Sequence, residues 1–294
     1  MSLHLTKEQV SKLCRCMGLP EVRSLTDINS TFSNDVQVIN GELILKSWDK
    51  EKIKWFNKEV FCLTNLKDKI PLPRIICSDW GGEILGKPFI VMNRIPGIPL
   101  IEVWDQLPEI KQEAYIEQIC EYLKIVNQLQ ISNAIDLFPA ITSWQEWLRM
   151  EFELNFNLCK DKKIFKGKKL ISIQRQIDHY LPYLKEQNMQ VMYYDIHFGN
   201  FIINETGIGG MIDFERTEWV SIDYCLNWPN RMSKHPEEYI QNRETDKAEY
   251  AKILPLFNKH YPEMFAFQDL DKRLEAYALL SDMRIQLRKL NGVV

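Results

Sequence analysis

Three residues that suit metal binding and proton transfer lie at the ends of short apolar runs in the second half of the chain. Asp195 follows one run, Asn200 precedes the next, and Asp213 terminates a third that begins at Gly210. Because the strands of a β hairpin end close together, we expect the three side chains to lie near one another at one end of the hairpin. Phosphoryl transfer needs such a set: a carboxylate orients or deprotonates the attacking hydroxyl, and hard oxygen ligands hold Mg²⁺ against phosphate oxygens.

The same residue types also have a simpler explanation. Asp and Asn form turns by bonding to their own backbone, so Asp195 or Asn200 alone indicates only a loop. Their joint occurrence with Gly199, apolar flanks and the sequence Ile212–Phe214 favours a site over simple turn formation. For His197, a hydrogen-bonded structural role comes before a catalytic or metal-binding role in our interpretation.

The first part of the chain supplies a cation that suits phosphate binding. The dipeptide Asn40-Gly41 between two β-like runs is typical of a hairpin, and Lys46 ends the second strand. Apolar residues at helical spacing then predict an amphipathic helix after Asp49. Glu59 lies on this helix, and a nucleotide lysine needs such a carboxylate to fix its ammonium. We therefore interpret Lys46 and Glu59 as a pair, although each alone is typical of a solvated surface.

These residues resemble the catalytic region of the aminoglycoside phosphotransferase and choline kinase group within the protein-kinase-like superfamily. The family pattern is His-Gly-Asp, an apolar residue, His, two residues ending in Gly, Asn, then an apolar strand and Ile-Asp-Phe or Ile-Asp-Trp. The resemblance implies that Asp195 is the catalytic base or orienter and that Asn200 and Asp213 are magnesium ligands. Tyr193-Tyr194 stands where the family has His-Gly, which predicts a different packing of this loop.

The resemblance also extends into the first part of the chain. Ser33-Asn34 resembles the Ser-Asn of the family's nucleotide-covering loop, which implies that Ser33 donates to phosphate oxygens. The segment Phe89–Gly97 looks like the family's strand-to-hinge segment, which implies that backbone groups near Asn93 and Ile95 face the adenine ring. Lys46 occupies the place of the family's nucleotide lysine.

The elements that must position these residues change in character along the chain. Strand-like runs dominate the first 92 residues, two prolines and a glycine follow within residues 94–99, and helix-compatible spacing covers residues 109–130, 142–158, 169–187 and 270–290. We predict an α+β, two-lobed protein-kinase-like fold with the nucleotide between the lobes. A small antiparallel-sheet lobe spans residues 1–93, a hinge spans 94–99, and a mainly helical catalytic and acceptor-binding lobe spans 100–294.

Composition excludes several classes of protein. The formal charge of −3 and the pI of about 6.0 provide no bulk attraction to nucleic acid or acidic membranes. No apolar run has transmembrane length, and the N-terminus lacks the apolar core of a secretory signal. Seven cysteines, an odd number, suit reduced thiols better than a disulfide framework. We therefore expect a cytoplasmic protein that partners neither nucleic acid nor membrane.

The function that follows is Mg²⁺-dependent transfer of the γ-phosphate of ATP or GTP to a hydroxyl of a small molecule, as in aminoglycoside phosphotransferases. The sequence leaves open a choline, homoserine, sugar or macrolide acceptor, and the oligomeric state. A catalytically silent nucleotide-binding regulatory protein is the alternative of a different class. A polycationic acceptor demands an acidic cleft, and the candidates for it are Glu215, Glu218, Asp223, Glu237, Glu238 and Asp282.

Overall fold

The protein, in its computed structural model, divides into two compact units. The structure describes residues 5–28, 34–132, 134–139, 141–240, 244 and 246–290. The first unit is Met1–Leu100 with Gly199–Thr217, and the second is Ile101–Phe198 with Glu218–Val294. The segment that carries Asn200 and Asp213 is thus assigned to the unit that begins the chain. The limits of 1–93, 94–99 and 100–294 stay a prediction.

The helices and strands follow one another in an order that starts with most of the strands. Up to Leu100 they are α1 (Lys7–Cys16), β1 (Leu25–Asp27), β2 (Asp35–Ile39), β3 (Leu43–Ser47), α2 (Ile53–Asn65), β4 (Ile75–Asp79), β5 (Phe89–Asn93) and β6 (Ile98–Pro99). Beyond it they are α3 (Glu109–Asn127), α4 (Trp144–Asp161), α5 (Gly167–Tyr180), β7 (Met189–Tyr193), β8 (Phe201–Asn204), β9 (Gly207–Met211), β10 (Thr217–Ser221), α6 (Asn227–Lys234), α7 (Lys247–Ala251), α8 (Ile253–His260) and α9 (Leu270–Leu290).

A five-stranded antiparallel sheet in the order β1-β2-β3-β5-β4 forms the centre of the first unit. The predicted β2–β3 hairpin is confirmed: Asn40 and Gly41 have φ of 55° and 77°, and Val36 pairs with Lys46. Apolar residues of α1, including Leu13, pack in one cluster with Leu45 and Phe89 of the sheet. This packing fixes β3, the strand that carries Lys46.

The segment predicted as a hinge packs closely against a second sheet of the first unit. Ile98 of β6 pairs with Ile203 of β8, in a sheet of order β6-β8-β9. Two glycines make the approach possible. A Cβ at Gly97 would lie 2.2 Å from the carbonyl oxygen of Ile203, and a Cβ at Gly210 would lie 2.0 Å from Cδ1 of Ile95.

The chain around Asp213 differs from the strand that the run Gly210–Phe214 predicts. β9 ends at Met211, and Asp213 has left-handed backbone angles of φ 66° and ψ 61°. The N–H of Ile212 donates to the carbonyl of Asn200 at 3.0 Å, which holds the two segments together just before the turn. Asp is one of the few residues besides Gly that enters this conformation at modest cost. The turn therefore replaces the last part of the predicted strand.

The second unit is mainly helical, as predicted, and a buried polar network lies in its core. Asp223 accepts from Arg273 Nε at 2.7 Å and from the Tyr277 hydroxyl at 2.6 Å, and all three side chains are buried. Asp223 is therefore a core residue and not part of an acidic cleft. Among the residues that the structure describes, no helix combines the length and apolar character needed to cross a membrane.

Gly97→Ala should destabilise the protein more than an ordinary glycine substitution. The φ of Gly97 is 138° and its Cβ would overlap the backbone of Ile203, so we expect a loss of about 3 kcal/mol or more. Gly41→Ala is the control, because Gly41 also has positive φ but no atom within 4 Å of its Cβ. It should lose about 1 kcal/mol. Equal losses in denaturant unfolding would contradict the close approach of β6 and β8.

Candidate active site

A buried lysine with three carboxylates forms the centre of the candidate site in the first unit. Lys46, on β3, is 4% exposed. Its Nζ lies 2.6 Å from Asp213 Oδ1, 3.4 Å from Glu59 Oε2 and 3.5 Å from Glu215 Oε2. β3, α2 and the segment after β9 each supply part of this group. The predicted proximity of Lys46 and Glu59 is thus observed, and Asp213 joins the same cluster.

The electrostatics of this cluster follow from burial and an excess of negative groups. Burial acts to lower the pKa of Lys46, but Asp213, Glu59 and Glu215 together raise it above its ordinary value. Burial raises the pKa of Glu59 to about 7, against the lowering effect of Lys46. Lys46 therefore stays protonated, whereas Glu59 takes up a proton at a higher pH than an exposed glutamate does.

Glu215 is a member of this cluster that the sequence did not assign to it. Its side chain is fully buried, so it does not belong to a solvent-facing acidic cleft. Its Oε2 accepts from Trp48 Nε1 and from Asn34 Nδ2, both at 2.7 Å. The position two residues after Asp213 is the one sequence feature that points to it.

Asn200 and Asp213 form a donor set that suits Mg²⁺. Asn200 directly precedes β8 and Asp213 follows β9, and their segments are joined by the Ile212–Asn200 backbone bond of 3.0 Å. One carboxylate and one amide oxygen are appropriate for an ion that takes its remaining ligands from phosphates and water. Within the described ranges, no group of three or more His, Cys, Asp or Glu side chains is arranged to hold a metal ion by itself.

The remaining residues predicted to contact the nucleotide have different surroundings. Ser33 lies outside the described residues. Asn93 ends β5; its backbone N–H donates to the carbonyl of Arg74 at 3.2 Å, and its side chain accepts from the N–H of Arg74 at 2.6 Å. Ile95 is half-buried, and its side chain reaches Gly210 of β9.

Asp195 lies in the second unit, where it follows β7 and is half-buried. Tyr193 is fully buried, and the ring of Tyr194 lies 5.3 Å from that of Tyr224. Tyr224 in turn lies 5.0 Å from Tyr277, one of the partners of Asp223. The Tyr-Tyr pair that replaces the family's His-Gly therefore packs into an aromatic cluster next to the buried polar network.

A buried arginine holds two of the acidic-cleft candidates of the second unit. Arg231, on α6, donates to Glu238 and to Asp282, both at 2.6 Å. Arg231 is 5% exposed at its side chain, whereas the carboxylate side chains are 42% and 59% exposed. Burial raises the pKa of the neighbouring Tyr239, and the charge of Asp195 is a further cause. The charge of Glu238 acts on Tyr239 in the same direction as that of Asp195.

Solved structures with a similar fold include aminoglycoside phosphotransferases. APH(2")-IIia with GDP and kanamycin is 14% identical with a TM-score of 0.75, covering 98% of this chain and 93% of its own. The streptomycin–ATP complex of APH(2")-IIa is 17% identical, with a TM-score of 0.68 and coverage of 97% and 91%. A thermostable mutant of APH(4)-Ia with AMP-PNP and hygromycin B is 14% identical, with a TM-score of 0.69 and coverage of 97% and 92%.

The fold of the chain is similar to that of these phosphotransferases. Residues 24–224 match the model of the phosphotransferase enzyme family, and the chain belongs to that family. The predicted enzyme class, a phosphotransferase with an alcohol group of a small molecule as acceptor, is confirmed at this level. A search of curated proteins finds no match.

The raised pKa of Glu59 predicts how the free energy of unfolding changes with pH in the absence of metal and nucleotide. The pKa of Glu59 in the folded protein, about 7, exceeds its ordinary value of 4.5. Between these two pH values Glu59 therefore holds a proton in the folded protein and releases it in the unfolded chain. Wild type should therefore lose stability, relative to Glu59→Gln, as the pH rises from about 5 to about 7, by an amount on the order of 1 kcal/mol.

Denaturant unfolding of both proteins across this range measures the difference. A gain of wild type over Glu59→Gln with rising pH would contradict the prediction, because it would mean that attraction to Lys46 outweighs the burial of Glu59.

Proposed function

We propose that the protein transfers the γ-phosphate of ATP or GTP to a hydroxyl of a small, amine-bearing acceptor, with Mg²⁺ as the metal. The observation that carries the donor half of the proposal is the Lys46 cluster, with Nζ 2.6 Å from Asp213 and 3.4 Å from Glu59. An ammonium fixed by a helix carboxylate is the arrangement that holds the α- and β-phosphates in kinases. The similar structures with bound GDP, ATP and AMP-PNP support a nucleotide as donor.

The other residues of the first unit have complementary roles in this proposal. Asn200 and Asp213 hold the metal, which neutralises charge on the phosphate oxygens when bound. The backbone of Ile95 hydrogen-bonds the adenine or guanine ring, because the N–H of Asn93 already donates to the carbonyl of Arg74. Ser33 donates to phosphate, as its place in the sequence implies.

Asp195 acts on the acceptor. A carboxylate in this position orients the attacking hydroxyl and accepts its proton. Asp195 is half-buried just after β7, and four residues separate it from Asn200 in the chain. The packing of Tyr194 on Tyr224 holds the start of this loop.

The acceptor that suits the second unit carries one or more amino groups. Glu238 and Asp282 are exposed carboxylates that a single buried guanidinium fixes side by side. Arg231 compensates only part of their charge, so their outward oxygens favour a cation. An aminoglycoside has this chemistry, as does any smaller amino alcohol or amino sugar.

Asp195→Asn should remove transfer and leave nucleotide binding intact. We expect kcat to fall by about 10²- to 10⁴-fold, because the amide accepts no proton, while the Kd for Mg-ATP or Mg-GTP stays within about twofold. Phosphate transfer over a panel of acceptors and nucleotide binding by calorimetry measure the two effects. Asp178→Asn on α5 is the control, since that carboxylate bonds Gln174 at the surface.

The same experiment separates the proposed function from its alternative. A wild type that binds Mg-nucleotide yet phosphorylates no acceptor of a broad panel would favour the catalytically silent regulatory protein. Absence of nucleotide binding would contradict both functions.

Glu238→Gln and Asp282→Asn should weaken binding of amine-bearing acceptors. We expect each to raise the acceptor KM by about tenfold for aminoglycosides or amino sugars and to leave that for neutral sugars unchanged. Glu237→Gln is the matched control, because this neighbouring carboxylate pairs with Lys247 at 3.1 Å and not with Arg231. Equal effects on neutral and amine-bearing acceptors, or an equal effect of Glu237→Gln, would contradict an amine-recognising pair.

A further inference from the structure

Glu215 is a buried carboxylate next to the lysine of the candidate site. It is fully buried, and a single oxygen, Oε2, receives Trp48 Nε1 and Asn34 Nδ2 at 2.7 Å and faces Lys46 Nζ at 3.5 Å. Burial of a charged carboxylate is expensive unless it is paired and hydrogen-bonded. Trp48, Asn34 and Lys46 provide that compensation for Glu215.

The three donors lie on one face of the β2–β3 hairpin. Asp35 pairs with Ser47 and Val36 with Lys46, so Asn34 stands opposite Trp48 in the continuation of that register. Side chains on a strand alternate between faces and directly opposed residues share a face. Asn34, Lys46 and Trp48 therefore point to the same side, at the end of the hairpin where β2 begins and β3 ends.

Glu215 is also joined closely to the proposed metal carboxylate. Asp213 turns the chain with its left-handed φ of 66°, and residues Phe214–Arg216 form a short 3₁₀ helix. The Arg216 guanidinium lies over the ring of Trp55 of α2, 4.2 Å from its centroid. The turn at Asp213 thus carries Glu215 to the hairpin and Arg216 to α2.

We propose that Glu215 is a positioning residue of the nucleotide-phosphate pocket, which fixes Lys46 and the start of β2 at Asn34 relative to Asp213. The inference depends on the proposed function, because it assumes that Lys46 binds the nucleotide phosphates. Glu215 acts through these residues and through Trp48, and it makes no contact with the nucleotide itself.

The single-donor variants test this role with little disturbance of the core. Asn34→Ala and Trp48→Phe each remove one hydrogen bond to Glu215, and Phe keeps the ring that packs on Phe56 at 5.4 Å. We expect each to raise the Kd for Mg-ATP or Mg-GTP by about tenfold, with the acceptor KM unchanged. Glu215→Ala should raise it further. Glu215→Gln, whose amide oxygen can accept the same two bonds, should recover most of the affinity.

A double-mutant cycle and a stability control distinguish positioning from a merely structural role. In the Glu215→Ala background, Asn34→Ala should have no further effect on nucleotide Kd, because its partner is already absent. Gln37→Leu removes another buried amide of β2, which bonds Leu5 and Asp27. It should lower the melting temperature and leave nucleotide Kd unchanged.

Two results would overturn the inference. If Asn34→Ala and Trp48→Phe lower the melting temperature but bind nucleotide as wild type does, Glu215 contributes only to folding. If Gln37→Leu raises nucleotide Kd as much as they do, the effect is a general loosening of the hairpin. Failure of wild type itself to bind either nucleotide would instead overturn the proposed function, and this inference with it.

Discussion

The structure of the first unit depends on one buried ammonium that serves three carboxylates. Lys46 lies within 3.5 Å of Asp213, Glu59 and Glu215, and without it Glu59 and Glu215 would be buried carboxylates with too little compensation. β3, α2 and the segment after β9 are therefore positioned by the same contact. The cluster carries more negative than positive charge, which suits a site that binds a divalent cation together with phosphate.

The parts of this arrangement that the sequence predicted are those with local signals. The Asn40-Gly41 turn fixes the hairpin register and therefore the position of Lys46, and helical spacing gives the face on which Glu59 lies. The spacing of Asn200 and Asp213 around a hairpin predicts their neighbouring segments. Each of these signals arises from residues close together in the chain.

The parts that the sequence did not predict are decided by distant contacts. Glu215 and Asp223 were candidates for an acidic cleft because their type alone suggests exposure, yet both are buried by partners far along the chain, Asn34 and Arg273 respectively. The run Gly210–Phe214 predicts one strand, but the chain turns at Asp213. The pattern missed this turn because a left-handed residue leaves no distinct mark in the apolar spacing. Burial of a charged residue depends on whether tertiary structure supplies its partner.

The second unit supports its candidate catalytic loop with aromatic packing. Tyr194, directly before Asp195, contacts Tyr224, which also packs edge-on against Trp144 at 5.2 Å and Tyr277 at 5.0 Å. Tyr277 donates to Asp223, whose other oxygen accepts from Ser221 at 2.6 Å. The loop that departs from the family pattern at Tyr193-Tyr194 is therefore connected, through aromatic rings, to the buried hydrogen-bond network of Asp223. Such networks are rigid when every member is satisfied.

Both units use a buried cation to organise carboxylates, but they expose the result differently. Lys46 compensates carboxylates that are largely enclosed, with Glu59 and Glu215 at 1% side-chain exposure. The remaining negative charge is therefore accessible to a ligand that binds beside Asp213, whose side chain is 31% exposed. Arg231 is equally buried but holds Glu238 and Asp282 at the surface. Because a charge in a low dielectric interacts more strongly with a nearby ion than a surface charge screened by solvent does, the first arrangement suits a tightly coordinated metal. The second suits recognition of a flexible, hydrated organic cation.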